Sequence, residues 1–264
     1  MSREVYILLW RNLNLGEAGY RVWGVGVWRY AKIRRVMPGT ETTRPLSSSI
    51  GDYLKAIWTI AGTGSASTTE VSGHLSVAPA SVTNMLGRLQ EMGLVRYERY
   101  RGASLTGRGR EEALRLVRRH RLIESFLLGH LRYSWQEVHA EAERLEHAVS
   151  DEFTERLADL LGHPARDPHG DPIPAADGTL EPDDSLPLGE AGVGGRVRIS
   201  KVSDESTPVL DYLGERGLVP GRLLTVKEVR SLDGVVTVED EGGETHTLGE
   251  PLARAVFVRE EAVG

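Results

Sequence analysis

Imidazole and carboxylate side chains are concentrated between Glu137 and His147. In a helix, with about 100° per residue, two histidines and two glutamates of this stretch fall within an arc of about 100°: His139, Glu143, Glu146 and His147. The arc borders the apolar face that begins at Val138, whereas charges that only solvate a helix lie opposite such a face. Nitrogen and oxygen donors on one face can bind a divalent cation, so the spacing predicts a metal site.

A second donor pair, His120 and Glu124, lies one helical turn apart in an earlier predicted helix. Each pattern has an ordinary alternative, a solvent-exposed acidic helix for the first and a local hydrogen bond for the second. Two donor groups on neighbouring helices favour metal binding. The chain contains no cysteine, which excludes disulfides, thiolate zinc sites and cysteine nucleophiles. The remaining oxygen and nitrogen donors favour harder ions.

The elements that position these donors follow the order of a winged helix-turn-helix and a helical domain. Pro79 suits the first turn of a helix, and Gly93 suits the left-handed conformation after a helix end. Apolar spacing and breaker residues predict the following elements: helices at 47–61, 68–75 and 79–92, a hairpin across Arg101-Gly102 within 94–105, and helices at 107–131, 134–148 and 150–161.

The helix that begins at Pro79 is the predicted DNA-recognition helix, because its apolar residues share one face. Asn84, outside that face, carries the amide that can read adenine. The predicted DNA-contacting residues are those of the recognition helix and, for phosphates, two arginines of the wing: Ala78, Ala80, Ser81, Thr83, Asn84, Arg88, Arg99 and Arg101. A three-helix unit with a hairpin also occurs as a protein-docking module, and this alternative stays open here.

The distribution of charge favours DNA over that alternative. The first 135 residues carry 20 Lys and Arg against 10 Asp and Glu, and the remainder carries 12 against 28. A basic half joined to an acidic half indicates nucleic-acid contact at one end. No apolar run approaches the roughly 18 residues that span a bilayer. We therefore expect a cytoplasmic protein with no membrane partner.

The chain is predicted to be mainly α-helical with a small β domain at its C-terminus. Short β-rich runs separated by Gly and Asp turns after Leu188 predict a small β-barrel. Residues 1–46 are either an aromatic-rich extension or sequence preceding a natural start at Met37, and we favour the second. The expected parts are the extension 1–46, the winged helix-turn-helix 47–107, the helical dimerisation and metal-binding domain 108–162, a linker 163–187 and the barrel 188–264.

Several motifs together make the sequence resemble the diphtheria toxin repressor family of iron- and manganese-dependent regulators, in particular its manganese-type members. The motifs are Asp52–Trp58, Arg118–Glu124, His139–Asp151 and Asp167–Pro174. The resemblance is strong from Asp52 to Pro174 and looser beyond it, where 210–221 is similar to the FeoA-like module of longer members. It implies the three-domain fold predicted above.

The resemblance also implies two ligand sets. The first is Asp52, Glu143, Glu146 and His147. The second is His120, Glu124 and His139, completed by the barrel, where Asp204 and Glu205 are the nearest candidates and Lys201 occupies another possible ligand position. Iron-type members have sulfur ligands at the positions of Asp52 and Glu143. Two carboxylates in place of sulfur make the ligand set harder, which favours Mn²⁺, and Fe²⁺ is the alternative metal.

Lys55 departs from the pattern of some short manganese regulators, which have a glutamate there and use it to bind a pair of ions. An ammonium group cannot ligate a cation, so the resemblance favours the separate second site in this chain.

The expected function is metal-dependent DNA binding by a homodimer at a near-palindromic operator, with repression of metal-uptake genes. We expect no enzymatic activity and no small-molecule substrate. A metal-dependent hydrolase is the main rival, but the chain has no His-Glu-x-x-His helix, and zinc deaminases need cysteines. The other rival is a metal-buffering protein that uses the winged helix for docking.

Overall fold

The computed structural model describes residues 46–203 and 206–261, and its N-terminal part is a winged helix-turn-helix. Local signals start its helices: Ser67 and Glu70 form a reciprocal capping box, and Pro79 occupies the first turn of its helix. The elements are α1 (Ser48–Ala61), α2 (Thr68–Leu75), α3 (Pro79–Glu91), β1 (Val95–Glu98) and β2 (Gly102–Leu105). Leu54 and Leu86 are fully buried in their shared core.

The helical part consists of α4 (Gly107–Leu131), α5 (Val138–Leu145) and α6 (Asp151–Leu161). Thr106 and Ser150 cap α4 and α6 as side-chain acceptors. Helix α5 is shorter than the predicted 134–148. At its start, the Glu137 carboxylate accepts hydrogen bonds from the backbone and hydroxyl of Ser134, which forms a turn. Helix α4 packs against α1, α5 and α6, so it connects the winged helix to the other helices of the helical part.

Residues 163–185 contain no helix or strand, and part of this segment is packed into the protein. We call residues 166–174 the strap. It closes on itself through a bridge between Arg166 and Pro172, and His169 is fully buried. The backbone carbonyl of His169 accepts a hydrogen bond of 2.8 Å from the amide of Val202. The strap therefore docks on the C-terminal domain.

Gly170 makes that docking possible. Its φ is 93°, and a Cβ at this position would lie 2.1 Å from the carbonyl oxygen of Ser200. An L-residue would be strained both by the backbone conformation and by this close approach.

The C-terminal part is an antiparallel six-stranded sheet of strand order β3-β8-β4-β5-β6-β7 with two helices packed on it. In chain order the elements are β3 (Leu186–Pro187), β4 (Arg196–Val202), α7 (Thr207–Glu215), β5 (Leu223–Arg230), β6 (Val235–Asp240), β7 (Thr245–Leu248), α8 (Glu250–Ala255) and β8 (Val256–Glu260). A 3-10 turn at Leu188–Glu190 follows β3. The prediction of a mainly α-helical chain with a small β domain is confirmed.

The sheet is less closed than a barrel. Its end strands, β3 and β7, do not pair with each other in the described part of the chain. Strand β3 has two residues, and Pro187 has no amide to donate, so this edge cannot continue the hydrogen-bond ladder. Helix α8 and the 3-10 turn cover the sheet instead. Among the described helices, none combines the length and apolar character needed to cross a membrane.

Candidate metal centre

The seven predicted ligands outside the C-terminal domain come together where α1, α4 and α5 meet. Helix α1 contributes Asp52, α4 contributes His120 and Glu124, and α5 with the turn that follows it contributes the rest. The last group consists of His139, Glu143, Glu146 and His147. Ligands from the winged helix and from the helical domain thus share one cluster.

The outer pair, Asp52 and His147, joins α1 to the end of α5. The Asp52 Oδ1 and His147 Nε2 atoms are 2.6 Å apart, and the two side chains are 40% and 26% exposed. Glu146, which is fully buried, places Oε1 3.5 Å from the same His147 nitrogen. Burial raises the pKa of Asp52, and His147 offsets only part of this effect.

The inner group consists of His120, Glu124 and His169. The Nε2 atom of His120 lies 2.9 Å from Glu124 Oε1 and 3.1 Å from His139 Nδ1. Burial alone would lower the pKa of His120, but the carboxylates of Glu124 and Glu146 together outweigh it and raise that pKa to about 9. Burial opposes ionisation of Glu124, yet His120 holds the Glu124 pKa well below its usual value.

The strap extends the inner group, which the sequence interpretation did not anticipate. His169 Nδ1 lies 3.7 Å from Glu124 Oε1, and Asp167 belongs to the same set of donor atoms within 4.8 Å of one another. Burial, with Glu124 as the next cause, raises the pKa of Asp167 to about 7. The motif Asp167–Pro174 was recognised as a family signature, but its Pro and Gly content indicated a linker. The sequence signal for this part of the donor set was a histidine two residues after an aspartate, His169 after Asp167.

Lys55 from α1 lies inside the cluster. Its Nζ atom is 2.5 Å from Glu143 Oε1, 3.0 Å from Glu146 Oε2 and 3.1 Å from His120 Nδ1. Burial alone would lower the pKa of Lys55, but the carboxylates of Glu146 and Glu143 hold it above its usual value. Glu143 belongs to one group of donor atoms with His120 and His139, whereas Asp52, Glu146 and His147 form another.

The donor set fits a hard divalent cation, because every donor is a carboxylate oxygen or an imidazole nitrogen. Glu124 Oε2 is buried and has no hydrogen-bond partner within the described residues, as expected of an oxygen that an ion could satisfy. The cluster opens through Lys55, His139 and Glu143 into a cleft of roughly 1120 Å³. An ion therefore has a route to the donors.

The barrel ligand of the second site is not located. Asp204 and Glu205 lie outside the described residues, as does the extension up to residue 45. The Lys201 ammonium pairs with Asp183 at 2.7 Å and with Asp171 at 3.6 Å.

The predicted DNA-contacting residues are all exposed, on α3 with its N-cap and on the wing. Val82, Leu86 and Leu89 are buried on the opposite side of α3. The wing tip carries Arg99 stacked over the ring of Tyr100, and Arg101 is paired with Glu98. One face of α3 is thus free to approach a partner.

Three family models match consecutive parts of the chain. The N-terminal DNA-binding domain of iron-dependent repressors matches residues 45–103, and their metal-binding and dimerisation domain matches 106–175. The FeoA domain matches residues 186–260.

Full-length relatives and solved structures agree with these matches. The iron-dependent repressor IdeR of Mycobacterium tuberculosis is 30% identical over 200 residues, which cover 71% of this chain and 86% of IdeR. The regulator MntR of Lysinibacillus sphaericus is 37% identical over 114 residues, 43% of this chain and 81% of that protein. A solved manganese-dependent transcriptional repressor in complex with manganese aligns with a TM-score of 0.76 and 38% identity, over 80% of this chain and 100% of that one. ScaR with bound Zn²⁺ gives 0.71 and 35%, over 80% and 99%. The chain belongs to the diphtheria toxin repressor family of metal-dependent transcriptional repressors.

Proposed function

We propose that this chain is a manganese-dependent, DNA-binding transcriptional repressor that acts as a homodimer on a near-palindromic operator. One observation carries the proposal: Asp52 of the winged helix lies in one group of donor atoms with Glu146 and His147 of the helical domain. The cytoplasm is the expected compartment of such a regulator, and metal-uptake genes are its expected targets. We propose no enzymatic activity.

Asp52 is the residue that makes the cluster relevant to DNA binding. It lies on α1, which packs in the same core as the recognition helix α3. Its partner His147 follows α5, and α5 packs on α4. A bound divalent cation would supply positive charge between these carboxylates and hold α1 against α5. The orientation of α3 relative to the helical domain would then depend on the occupancy of the site.

A homodimer fits this arrangement, because two recognition helices held at a fixed spacing can contact two half-sites. Helix α6 exposes Phe153 and Leu160, which lie seven residues apart and so on one helical face. We place the dimer contact on this helical domain.

Manganese is favoured over iron by the ligand chemistry of this chain. Asp52 and Glu143 are carboxylates, the sulfur-free donor set suits a hard ion, and the manganese-complexed repressor is 38% identical. Iron is the alternative, and the IdeR relatives support it by name.

Footprinting on the DNA upstream of the gene tests the proposal, with chelated protein and with Mn²⁺, Fe²⁺ or Zn²⁺ added. We expect a protected, two-fold symmetric site that requires metal and appears at the lowest concentration with Mn²⁺. In the His147→Gln variant, operator binding should stay weak whether or not metal is added. Glu141→Gln, on α5 but paired with Arg144, is the matched control and should behave like the parent chain. Full metal-dependent protection by His147→Gln would contradict the assignment of the site.

A further inference from the structure

The ammonium group of Lys55 lies at the point where three proposed ligands converge. Its Nζ atom is within 3.3 Å of Glu143 Oε1, both carboxylate oxygens of Glu146 and Nδ1 of His120. The side chain is 16% exposed, so most of its contact is with the cluster rather than with solvent. The distances to the carboxylate oxygens are those of charge-assisted hydrogen bonds, and they place a positive charge where a metal ion would find the same oxygens.

A divalent ion would compete with Lys55 for the Glu143 and Glu146 oxygens, because ions bind such oxygens at about 2.0–2.6 Å and Lys55 Nζ already lies 2.5–3.3 Å from them. An ammonium next to a divalent ion would also add a strong repulsion in a buried site. We therefore expect an ion that takes both carboxylates to displace Lys55 from the cluster.

The structure offers a place for the displaced side chain. Lys55 lines the cleft of roughly 1120 Å³ beside the cluster, and the wall of this cleft also carries Asp171, Glu181 and Asp183. A lysine stem is long and flexible enough to turn from buried carboxylates toward such a wall.

We propose that Lys55 is a tethered competitor of the metal: it holds Glu143 and Glu146 together in the metal-free chain and leaves for the cleft when the ion binds. This inference rests on the proposed function. As a consequence, a higher metal concentration is needed to fill the site, because each metal ion must replace ion pairs that already exist. Ions with weak affinity for carboxylates are then excluded by competition rather than by the size of the site.

Lysine acylation followed by peptide mass spectrometry tests the displacement directly in the parent chain. The sequence contains four lysines, Lys32, Lys55, Lys201 and Lys227, so the modified positions are easily distinguished. Lys55 should be protected in the chelated protein, and its labelling should rise at least fivefold when Mn²⁺ saturates the protein. Lys227, exposed on β5 and paired with Glu239, is the internal reference and should not change.

Calorimetric titration with Mn²⁺ supplies the second readout. Lys55→Gln should bind Mn²⁺ about tenfold more tightly than the parent, equivalent to about 1.4 kcal/mol, and its metal-free form should melt at a lower temperature. Arg144→Gln removes one positive charge from α5 at an exposed position, and it should change the affinity less than twofold. Lys55→Arg keeps the charge and should stay near the parent, which separates competition from a general loss of fold.

A Lys55 that stays protected in the manganese-saturated chain, or a Lys55→Gln variant that binds no more tightly than Arg144→Gln, overturns the inference while the proposed function stands. If the parent chain binds no Mn²⁺ at all, the proposed function fails and this inference fails with it.

Discussion

The outer pair and the inner group use the same residue types in different surroundings. Asp52 and His147 of the outer pair are 40% and 26% exposed, and they join two domains through a contact of 2.6 Å. His120, Glu124 and His169 of the inner group are buried and connect α4 to the strap. Exposed ion pairs contribute little to stability, whereas a buried charge without its partner is costly. We therefore expect the inner group to support the fold and the outer pair to transmit metal binding.

The largest effect should follow the loss of the inner carboxylate. Glu124→Ala removes the main partner of the charged His120 and should lower the free energy of unfolding by about 3–5 kcal/mol. Urea denaturation of the chelated protein measures this loss. The control Glu152→Ala removes an exposed glutamate of α6 and should change stability by about 0.5 kcal/mol or less. A loss below about 1 kcal/mol for Glu124→Ala would mean that the inner group is not structural.

The strap provides the next test of the inner group. Gly170→Ala should cost about 1–3 kcal/mol, because the residue has a φ of 93° and its Cβ would press on the Ser200 carbonyl. Thermal unfolding and limited proteolysis around the strap report the change. Gly189→Ala, where a Cβ meets no atom within 4 Å, is the matched control. Equal melting temperatures for the two variants would show that the strap adapts without cost.

Unfolding in acid tests whether the ion pair between Asp183 and Lys201 of the C-terminal domain also stabilises the fold. Burial would raise the pKa of Asp183, but the hydrogen bonds from Lys201 and Ser185 and the charge of Lys201 together outweigh it and lower that pKa to about 2. Since the unfolded carboxyl binds protons more readily, its contribution is complete above pH 4 and is lost as the pH falls from about 4 to 2.

Asp183→Asn should therefore be less stable than the parent at neutral pH, and its stability should fall less steeply with acid over that interval. Denaturant titrations at pH 5, 4 and 3 measure the slope, with Asp211→Asn, an exposed carboxyl of α7, as control. Parallel slopes for the parent and Asp183→Asn would show that Lys201 contributes nothing to acid stability.

The outer pair should show the smallest effect on the fold and the clearest effect on signalling. Asp52→Asn should change the free energy of unfolding by about 0.5 kcal/mol or less, since the side chain is partly exposed. Its metal-dependent gain in operator affinity, measured by fluorescence anisotropy, should fall about tenfold or more, a change of about 1.4 kcal/mol. A large loss of stability with normal DNA binding would reverse the comparison between the two groups.

Sequence periodicity was sufficient for the helical part of the site. The spacing of His139, Glu143, Glu146 and His147 predicted one polar stripe, of which the structure keeps the first two residues on α5 and places the last two in the turn after it. Helix α4 was predicted with the bounds that the structure shows. These features depend on contacts within one or two helical turns, and the local sequence pattern is therefore enough to predict them. The assignment of particular ligands to two separate sites stays a prediction.

The remaining features depend on long-range packing. Pro and Gly content identified the strap as a loop but could not show that His169 would be buried beside Glu124. In the sequence, Lys55 stood out only as a departure from a family pattern, because its central position arises only when α1 packs near α5. Helices α7 and α8 and strand β7 were missed, because short elements with Pro or Gly at their start give weak periodic signals.

The two-sided docking of the strap has a consequence for how this chain can be divided. A fragment that ends at residue 162 matches the predicted end of the helical domain, yet it would lack His169 and leave Glu124 beside a vacated space. A fragment that ends at 187 would keep that neighbour but expose the strap surface that β4 covers. Recombination between family members of different length is therefore expected to conserve the strap with the helices, and to exchange the FeoA part only together with a compatible docking surface.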